Sequence, residues 1–437
     1  RIELNKSNSK DIILHEHDTW SHFQNSSEKL FRNQLKDEDI AVLDELKEKY
    51  GIRHSFDKNN SLVIESNQNI GSVQLPNLDH RINITPKMFK NKKDSLIDTS
   101  VFLFFANNIK IKKFMEEQKN FFETGSKHLI HPLHIDLITK CKDLLNKGLL
   151  KSYVVNTENI SAVRGKLLFQ QQMVNDLMKK PKFFCEYDEL EYDSTENRVL
   201  LQAMTIVERT SKITDWKMKA LDLAQKLSGV VSKVNVSKPE RQMMMRSYNR
   251  QNSRYKEIHQ TCELLIEQEG VGNIYSGERS VVPIFYNMNN EFERFVENLF
   301  LKYYEIPSWV KTQSSAISWN REIRDSRRMR PDIIIQDDSG NVKHIIDTKY
   351  KDHELSPGDL YQIGFYMHEY GKNNELDDAF AILPESDNVS DETYTSTKKK
   401  KNVHQRTLNV VKCLEMIKEN DEDGLRNVVR NLIAITD

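Results

Sequence analysis

Two aspartates and a lysine stand around a short turn late in the chain, in a pattern suited to binding a divalent cation. Asp332 precedes the apolar run 333–335, Asp347 follows the apolar run 342–346, and Lys349 comes two residues later. Mg²⁺ prefers carboxylate oxygens, and one or two suffice because the ion keeps several waters. Such an ion neutralises phosphodiester charge and presents a nucleophilic water, while a lysine can orient or deprotonate that water or stabilise an oxyanion. The residues predict a metal-dependent phosphodiesterase centre.

A β-hairpin must position these side chains. The two β-branched runs flank the sequence DDSGN, which is typical of a tight turn between strands. If its Ser-Gly pair is central, residue 338 pairs with 341, and pairing continues outward until Asp332 faces Asp347, with Cβ atoms roughly 4.5–5.5 Å apart. Lys349 then shares a face with Asp347. A one-residue slip would turn every side chain to the other face, so the prediction depends on the register.

A helix is predicted downstream of the hairpin, over residues 358–370, with an acidic first turn after Pro357. Gln362 and Tyr366 are four residues apart and share one helical face. A Q-x-x-x-Y element placed after D-x-K is similar to that of RecB-like members of the PD-(D/E)xK nuclease superfamily, where it lines the metal site and contacts DNA. The similarity implies site roles for both residues.

An amphipathic helix is predicted upstream of the hairpin, over residues 289–304. Glu293 and Glu297 are four residues apart on a shared face of this helix. One of them could supply the third acidic group that such nucleases often place on the preceding helix. The alternative, a solvated glutamate stripe, is left open by the pattern.

Several separated motifs together resemble the McrC subunit of McrBC modified-cytosine restriction systems, and they occur in that family's order. They are IGSVQLPNLDHRINITPKM (70–88), SAVRGKLLF (161–169), FFCEYDELEYDSTENRVL (183–200), NMNNEFERFV (287–296), and then PD, DTKYK and DLYQ. The resemblance implies Glu293 as the helix glutamate, and hence a metal set of Asp332, Asp347 and Glu293 binding Mg²⁺, with Mn²⁺ as a substitute. The chain departs from the family where Asn287 replaces a frequent Asp and Glu291 an apolar residue.

The McrC resemblance also implies a partner, an McrB-like AAA+ GTPase hexamer that recognises DNA and translocates, with this chain as the cleaving subunit. The chain has no G-x-x-x-x-G-K-[ST] sequence, so GTP would be used by the partner and not bound here. In the family, the N-terminal domain inserts into the hexamer's channel and stimulates GTP hydrolysis. We assign that role to the hairpin before Lys87; an ordinary surface hairpin is the alternative. The assigned contacts are Gln74, Pro76, Asn77, His80, Arg81 and Lys87.

Arginines crowd the segment just before the proposed metal site. With 64 basic and 65 acidic residues the chain is not a basic DNA-coating protein, yet its charge is patchy. Arginine contacts to phosphates position a duplex without reading its sequence. We predict such contacts for Arg324, Arg327, Arg328 and Arg330. A solvated loop is the alternative, because acidic residues are interleaved.

The patterns predict a mixed α/β, multidomain protein. The expected parts are an N-terminal α+β partner-binding domain with a β-hairpin (1–120), a mainly helical middle (121–280), and a PD-(D/E)xK endonuclease core whose central mixed sheet is flanked by helices (281–437). The clearest predicted elements are helices at 37–50, 136–145, 197–212 and 254–269, a helix from about 96, and strands at 62–65, 71–75, 81–85 and 379–383.

Cysteine usage and hydropathy narrow the class further. The four cysteines, which include no C-x-x-C pair, make a structural zinc site an unattractive prediction and favour a reducing cytoplasm. The longest apolar run, at 101–106, is far too short to cross a bilayer.

Three functions remain open from the sequence. The favoured one is a GTP-driven, DNA-cleaving subunit whose nuclease centres pair in the active assembly, because both strands of a duplex must be cut. A RecB-like repair nuclease would instead trim free DNA ends as an isolated protein. A catalytically silent scaffold that activates the GTPase would tolerate replacement of Asp347 by Ala.

Overall fold

The computed structural model describes most of the chain, which falls into two compact units. One unit comprises Arg1–Pro132 together with Ile284–Asp437, and the other comprises Leu133–Pro283. The described residues are 10–20, 30–78, 80–90, 95–108, 132–211, 214–250, 252–272, 284–312, 317–319, 327–371, 376–398 and 400–435.

The first part of the first unit mixes short strands with two helices. Helix α1 begins with three acidic residues, which favour a helix N-terminus, and it ends where Gly51 adopts φ 68°. The elements are β1 (Lys10–His15), β2 (Thr19–Trp20), α1 (Asp37–Tyr50), β3 (Arg53–Phe56), β4 (Leu62–Glu65), β5 (Asn69–Gln74), β6 (His80–Thr85) and α2 (Ser95–Ala106).

The second part of this unit carries the predicted metal site. Its elements are β10 (Ile284–Asn287), α9 (Met288–Tyr303), β11 (Val310–Thr312), β12 (Ile317–Trp319), β13 (Arg327–Met329), β14 (Ile333–Gln336), β15 (Val342–Thr348), α10 (Pro357–Tyr370), β16 (Asp378–Pro384), β17 (Glu392–Thr395), β18 (Asn402–Leu408), α11 (Val410–Glu419) and α12 (Glu422–Leu432).

A four-stranded sheet joins the two parts of the first unit. Its strand order is β1-β6-β5-β10, so the predicted β5–β6 hairpin is present and lies between a parallel neighbour, β1, and an antiparallel one, β10. Strand β10 runs directly into α9, the helix that carries Glu293. The four-stranded sheet, here called the hairpin sheet, is therefore directly connected along the chain to α9, here called the acidic helix.

A mixed six-stranded sheet positions the predicted site. Its order is β11-β14-β15-β16-β18-β17, with β15, β16 and β18 parallel and the other pairs antiparallel. Strands β14 and β16 are almost wholly buried, as expected for strands covered on both faces. Helix α10 packs on one apolar cluster of this sheet, which includes Ile345, Ile363 and Met367.

The second unit contains the predicted helices and also a sheet that the sequence analysis did not anticipate. Strands β7 (Ser152–Ile160), β8 (Lys166–Leu167) and β9 (Phe183–Glu191) pair in the order β7-β9-β8. The helices are α3 (Pro132–Asn146), α4 (Phe169–Leu177), α5 (Thr195–Thr210), α6 (Thr214–Ser228), α7 (Lys238–Arg246) and α8 (Lys256–Gly272). The prediction of a mainly helical region omitted these strands because their exposed faces mix apolar and charged residues.

The V-R-G element of the second unit forms a turn packed against β9. Gly165 adopts φ +64°, and a Cβ there would lie 2.4 Å from the carbonyl oxygen of Glu186. The preceding Arg164 lies over the Tyr187 ring, 4.3 Å from its centroid, and pairs with Glu189 at 3.3 Å. These contacts give the element a local structural role.

Replacing Gly165 with Ala should destabilise the protein by about 2–4 kcal/mol. The left-handed backbone costs a non-glycine residue about 1–2 kcal/mol, and overpacking against the β9 backbone adds to it. Gly148→Ala is the matched control, because Gly148 also has positive φ (87°) but its Cβ would meet no atom within 4 Å. Urea denaturation of both variants checks this; equal losses would show that the β9 contact adds nothing.

The predicted elements are confirmed in type, with small differences at their ends. The helix predicted at 37–50 is found as predicted, the helix predicted at 358–370 begins one residue earlier, and the strand predicted at 379–383 extends by one residue at each end. Among the described residues, no helix is long and apolar enough to span a membrane.

Candidate metal and nuclease site

The hairpin that carries the two aspartates has the predicted register along its outer part. Ile333 pairs with Ile346, Ile334 with Ile345, and Ile335 with His344. Continuing this register by one residue places Asp332 across from Asp347, as the sequence predicts. The agreement arises because both strands bury β-branched residues, so a slip would expose them.

The turn itself differs from the prediction, and a bulge compensates for the difference. Gln336 pairs with Val342, and Asp337 donates its backbone N–H to the Asn341 carbonyl at 3.0 Å, so the turn holds three residues and not two. Gly340, at φ 81°, provides the left-handed position. Lys343 then has no partner in the ladder, and this extra residue restores the predicted pairing further out.

Asp332 is fixed by the residue that separates Asp347 from Lys349. The backbone N–H and the Oγ1 hydroxyl of Thr348 both donate to Asp332 Oδ2, each at 2.7 Å. Two donors on one oxygen hold the carboxylate in a fixed orientation. Thr348 was not among the residues predicted from the sequence, because it is the variable residue of D-x-K.

A polar chain runs from Asp347 to helix α10. Lys349 Nζ lies 2.6 Å from Asp347 Oδ2 and donates to Gln362 Oε1 at 3.1 Å. Gln362 Nε2 in turn donates to the Tyr366 hydroxyl at 2.9 Å. The Q-x-x-x-Y element thus meets the D-x-K element side chain to side chain.

Burial and neighbouring charges change the pKa values of Asp347 and Lys349. Asp347 is 1% exposed, and burial, followed by the Asp332 charge, raises its pKa to about 6. Burial alone would lower the pKa of Lys349, but the charge of Asp347 and its hydrogen bond, together with the charges of Asp332 and Asp359, raise it. In this arrangement the lysine is held as an ammonium beside Asp347, and that ammonium offsets part of the cost of burying the carboxylate.

Helix α9 brings Glu293 and Glu297 towards Asp332. Burial raises the pKa of Glu293 to about 6, and the charges of Asp332 and Asp347 contribute. Burial raises the pKa of Glu297 to about 7, with contributions from Glu293 and Asp332. Glu297 Oε1 is buried and accepts no hydrogen bond from the described residues. The alternative of a solvated glutamate stripe is not what the structure shows, since both side chains are partly buried.

The two departures from the McrC pattern at the start of α9 have local explanations. Asn287 caps the helix, because its Oδ1 accepts the Asn289 backbone N–H at 2.9 Å, as an Asp would. Glu291 is buried but compensated by Arg294 at 2.9 Å and by the Asn107 side-chain amide at 2.8 Å. The helix therefore begins at Met288 and presents Glu293 from its second turn.

The donor set fits a hard divalent cation. Asp347 is buried, and its Oδ2 lies 2.6 Å from the Lys349 ammonium. Among the described residues no three His, Cys, Asp or Glu side chains are arranged to hold an ion as they stand. Two carboxylates are sufficient for Mg²⁺, which completes its shell with water. A cation bound between Asp332 and the buried Asp347 would relieve the repulsion between the two carboxylates.

The predicted DNA-binding arginines are only partly described. Arg330 is exposed, and its positive charge lowers the pKa of Glu293, which places it beside the acidic group. Arg327 and Arg328 lie in β13, which pairs with β12, and their side chains are not described. Arg324 lies outside the described residues. DNA contact by these residues stays a prediction.

The predicted partner-binding residues lie on or beside the β5–β6 hairpin, but its tip is held by α1. Asn77 donates its backbone N–H to Asp39 and its side-chain amide to Glu38. Arg81, at 8% exposure, is buried. Gln74, whose side chain is not described, pairs with Arg81, and Pro76 and His80 are partly exposed. The exposed Lys87 reaches Asp352 at 3.1 Å.

Comparisons with known proteins agree with this architecture. A family model described as McrBC 5-methylcytosine restriction system component matches residues 64–378. No curated protein matches the sequence.

Two solved structures resemble the chain. One is the refined half-complex from the tetradecameric assembly of Thermococcus gammatolerans McrB AAA+ hexamers with bound McrC, at 16% identity and TM-score 0.54, covering 97% of this chain and 100% of that one. The other is the cryo-EM structure of the Thermococcus gammatolerans McrBC complex, at 17% identity and TM-score 0.44, covering 67% of this chain and 88% of that one. The first likeness shows a shared fold.

Proposed function

Because this chain belongs to the family of McrBC 5-methylcytosine restriction system components, we propose that it is the DNA-cleaving subunit of such a system. It is a PD-(D/E)xK endonuclease that hydrolyses phosphodiesters with Mg²⁺. The observation that supports the proposal is the hairpin register, which pairs Ile333 with Ile346 and, continued by one residue, sets Asp332 opposite Asp347; Lys349 donates to Gln362 just beyond the same end of β15.

Three carboxylates are proposed to hold the cation. Asp332 and Asp347 are the direct ligands, and Glu293 completes the acidic group from α9. When bound, Mg²⁺ supplies neutralisation of phosphoryl charge and a nucleophilic water. Thr348 holds the Asp332 carboxylate in place through two hydrogen bonds, so this ligand is oriented before the cation arrives.

Lys349 is proposed to act as a cation and not as a base. Without a bound cation, the charges of Asp347, Asp332 and Asp359 and the hydrogen bond to Asp347 together outweigh burial and raise its pKa, which favours the protonated Nζ. A protonated Nζ can donate a hydrogen bond to the phosphoryl oxygen on which negative charge accumulates. The sequence left three roles open for Lys349, which are orienting the water, deprotonating it and stabilising an oxyanion. Deprotonation is not proposed, since a proton-accepting lysine would require a lowered pKa.

Gln362 and Tyr366 are proposed to aim the lysine. Gln362 Oε1 accepts from Nζ, while its Nε2 is engaged by the buried Tyr366 hydroxyl. The amide cannot turn over without losing one of these bonds. The lysine is therefore held from two sides, by Asp347 and by Gln362. Arg330, exposed beside Glu293, would contact a DNA phosphate near the reacting bond.

The proposed partner is an McrB-like AAA+ GTPase hexamer. The solved relative of shared fold is a complex of McrB AAA+ hexamers with bound McrC. Because this chain lacks a phosphate-binding P-loop, GTP would be hydrolysed by the partner, whose activity the chain stimulates through its N-terminal region. Two copies of the nuclease centre would meet to cut both strands of a duplex.

A cleavage assay with separated components tests the proposal. The full chain is incubated with Mg²⁺ and duplex DNA that contains 5-methylcytosine, with and without its AAA+ GTPase and GTP. We expect double-strand cleavage only when both are present, and no cleavage of an unmodified duplex of the same sequence. Two controls are GTP without Mg²⁺ and a non-hydrolysable GTP analogue.

Other outcomes of this assay favour other functions. Metal-dependent trimming of free ends by the isolated chain would support the RecB-like function. Stimulation of GTP hydrolysis with no cleavage under any condition would support the scaffold.

A further inference from the structure

The residue that follows Lys349 links the nuclease strand to the hairpin sheet. The Tyr350 hydroxyl donates a hydrogen bond to Glu16 Oε1, one residue past the end of β1. The Tyr350 ring lies against Phe292, with centroids 5.4 Å apart, and Phe292 precedes Glu293 on α9. Tyr350 therefore contacts, at once, the sheet that carries the hairpin and the helix that carries the third carboxylate.

The burial of the Glu16 carboxylate is energetically unfavourable for a purely structural contact. It is 1% exposed, and its Oε2 accepts no hydrogen bond from the described residues. Its Oε1 accepts from the Lys87 backbone N–H at 2.8 Å, but the Lys87 ammonium extends to Asp352 instead. Burial raises the pKa of Glu16 to about 7. A buried carboxylate without a paired cation costs free energy that a neutral side chain would not.

The same sheet holds the nuclease centre from a second side. Asn287, the last residue of β10, pairs with Asn69 of β5 and caps α9, and the Met288 N–H donates to the Gln68 carbonyl at 3.0 Å. The sheet thus fixes the start of the acidic helix and, through Glu16, the end of β15. The exposed ion pair between Lys87 and Asp352 adds little, because solvent screens it.

We propose that Tyr350 and Glu16 are positioning residues whose hydrogen bond couples the hairpin sheet to Asp347 and Lys349, so that a partner held by the sheet sets the geometry of the nuclease centre. The inference rests on the proposed function, because it assumes that the partner engages this sheet. It adds a route from partner binding to cleavage. Neither residue touches the substrate in this scheme.

Tyr350→Phe is the main test, since it removes the hydroxyl and keeps the ring against Phe292. In the complex with the GTPase, cleavage of 5-methylcytosine DNA should fall at least about tenfold, because a hydrogen bond to a buried carboxylate is lost. GTPase stimulation and complex formation should stay within about twofold of the parent. Glu16→Ala should lose cleavage similarly, and the double variant no more than either single one. Asp18→Asn, which neutralises an acid bound to Lys90 at 2.7 Å in the same region, should cleave normally.

Hydrogen exchange supplies a readout that does not need cleavage. In the parent protein, GTPase binding should change amide exchange across residues 345–352, and Tyr350→Phe should abolish that change. Normal cleavage by Tyr350→Phe, a parallel fall in GTPase stimulation, or additive losses in the double variant would each overturn the inference. If the parent binds the GTPase but does not cleave, the proposed function fails while hydrogen exchange still decides the coupling. If Glu16→Ala does not fold, Tyr350→Phe alone decides.

Discussion

The Asp347→Asn variant is expected to lose DNA cleavage by about 10²- to 10⁴-fold, since a cation ligand contributes several kcal/mol of transition-state stabilisation. Measuring single-turnover cleavage rates in the GTPase complex checks this. The variant keeps side-chain volume and changes only charge and ligand character. GTPase stimulation should remain, because Asp347 lies in the six-stranded sheet and not in the hairpin sheet.

The same substitution should stabilise the metal-free protein. The pKa of Asp347 is raised from 3.8 to about 6, chiefly by burial and next by Asp332. A carboxyl group whose pKa is higher in the folded state than in the unfolded state favours folding while it is protonated. The protein therefore loses this stability as the pH rises through 6. Asn lacks this cost, so the gain should be about 1–3 kcal/mol at pH 8 and should vanish below pH 4. Thermal melts in EDTA at several pH values measure it.

Asp338→Asn is the matched control for both effects. Asp338 lies in the turn of the same hairpin and is exposed, and its substitution removes the same charge. It should leave both cleavage and the melting temperature at pH 8 unchanged, because the side chain is exposed. If Asp347→Asn cleaves like Asp338→Asn while remaining folded, Asp347 is not a ligand and the proposed centre is wrong.

The sequence predicted those parts of the site that depend only on local sequence patterns. The runs of isoleucine on both sides of the turn define two strands and their register, because only one register buries Ile333 against Ile346. The four-residue spacing of Gln362 and Tyr366 likewise defines a helical face. Even here, the bulge at Lys343 was not predictable, because it depends on the turn conformation that Gly340 adopts.

The parts that were not predicted depend on contacts between residues distant in sequence. The pairing of β10 with β5 joins residues more than 200 positions apart, and it places the hairpin sheet and the acidic helix in one unit. The hydrogen bond from Tyr350 to Glu16 spans 334 positions. No periodicity in either segment signals such partners. The strands β7 and β9 were missed for a different reason, since polar and apolar residues alternate too weakly along them.

Replacing Phe295 with Ala should destabilise the protein by about 3–5 kcal/mol, the usual cost of removing a fully buried phenylalanine. Phe295 lies on α9, one turn or less from Glu293 and Glu297, and its ring stacks on Phe102 of α2 with centroids 5.0 Å apart. A second ring, Phe105, lies 4.9 Å away. Urea denaturation measures the loss. Leu301→Ala is the control, because Leu301 is on the same helix but 38% exposed, and it should lose less than about 1 kcal/mol.

A double-mutant cycle that combines Phe295→Ala with Phe102→Ala tests whether the two rings belong to one core. If residues up to 132 and residues from 284 onwards fold as one unit, the two rings share one core, and the losses should be coupled by about 0.5–1.5 kcal/mol. If the N-terminal region were an independent domain, the two losses would add and would appear in separate unfolding transitions. The nuclease helix then could not be held by the hairpin sheet, and partner binding would need another route to the catalytic carboxylates.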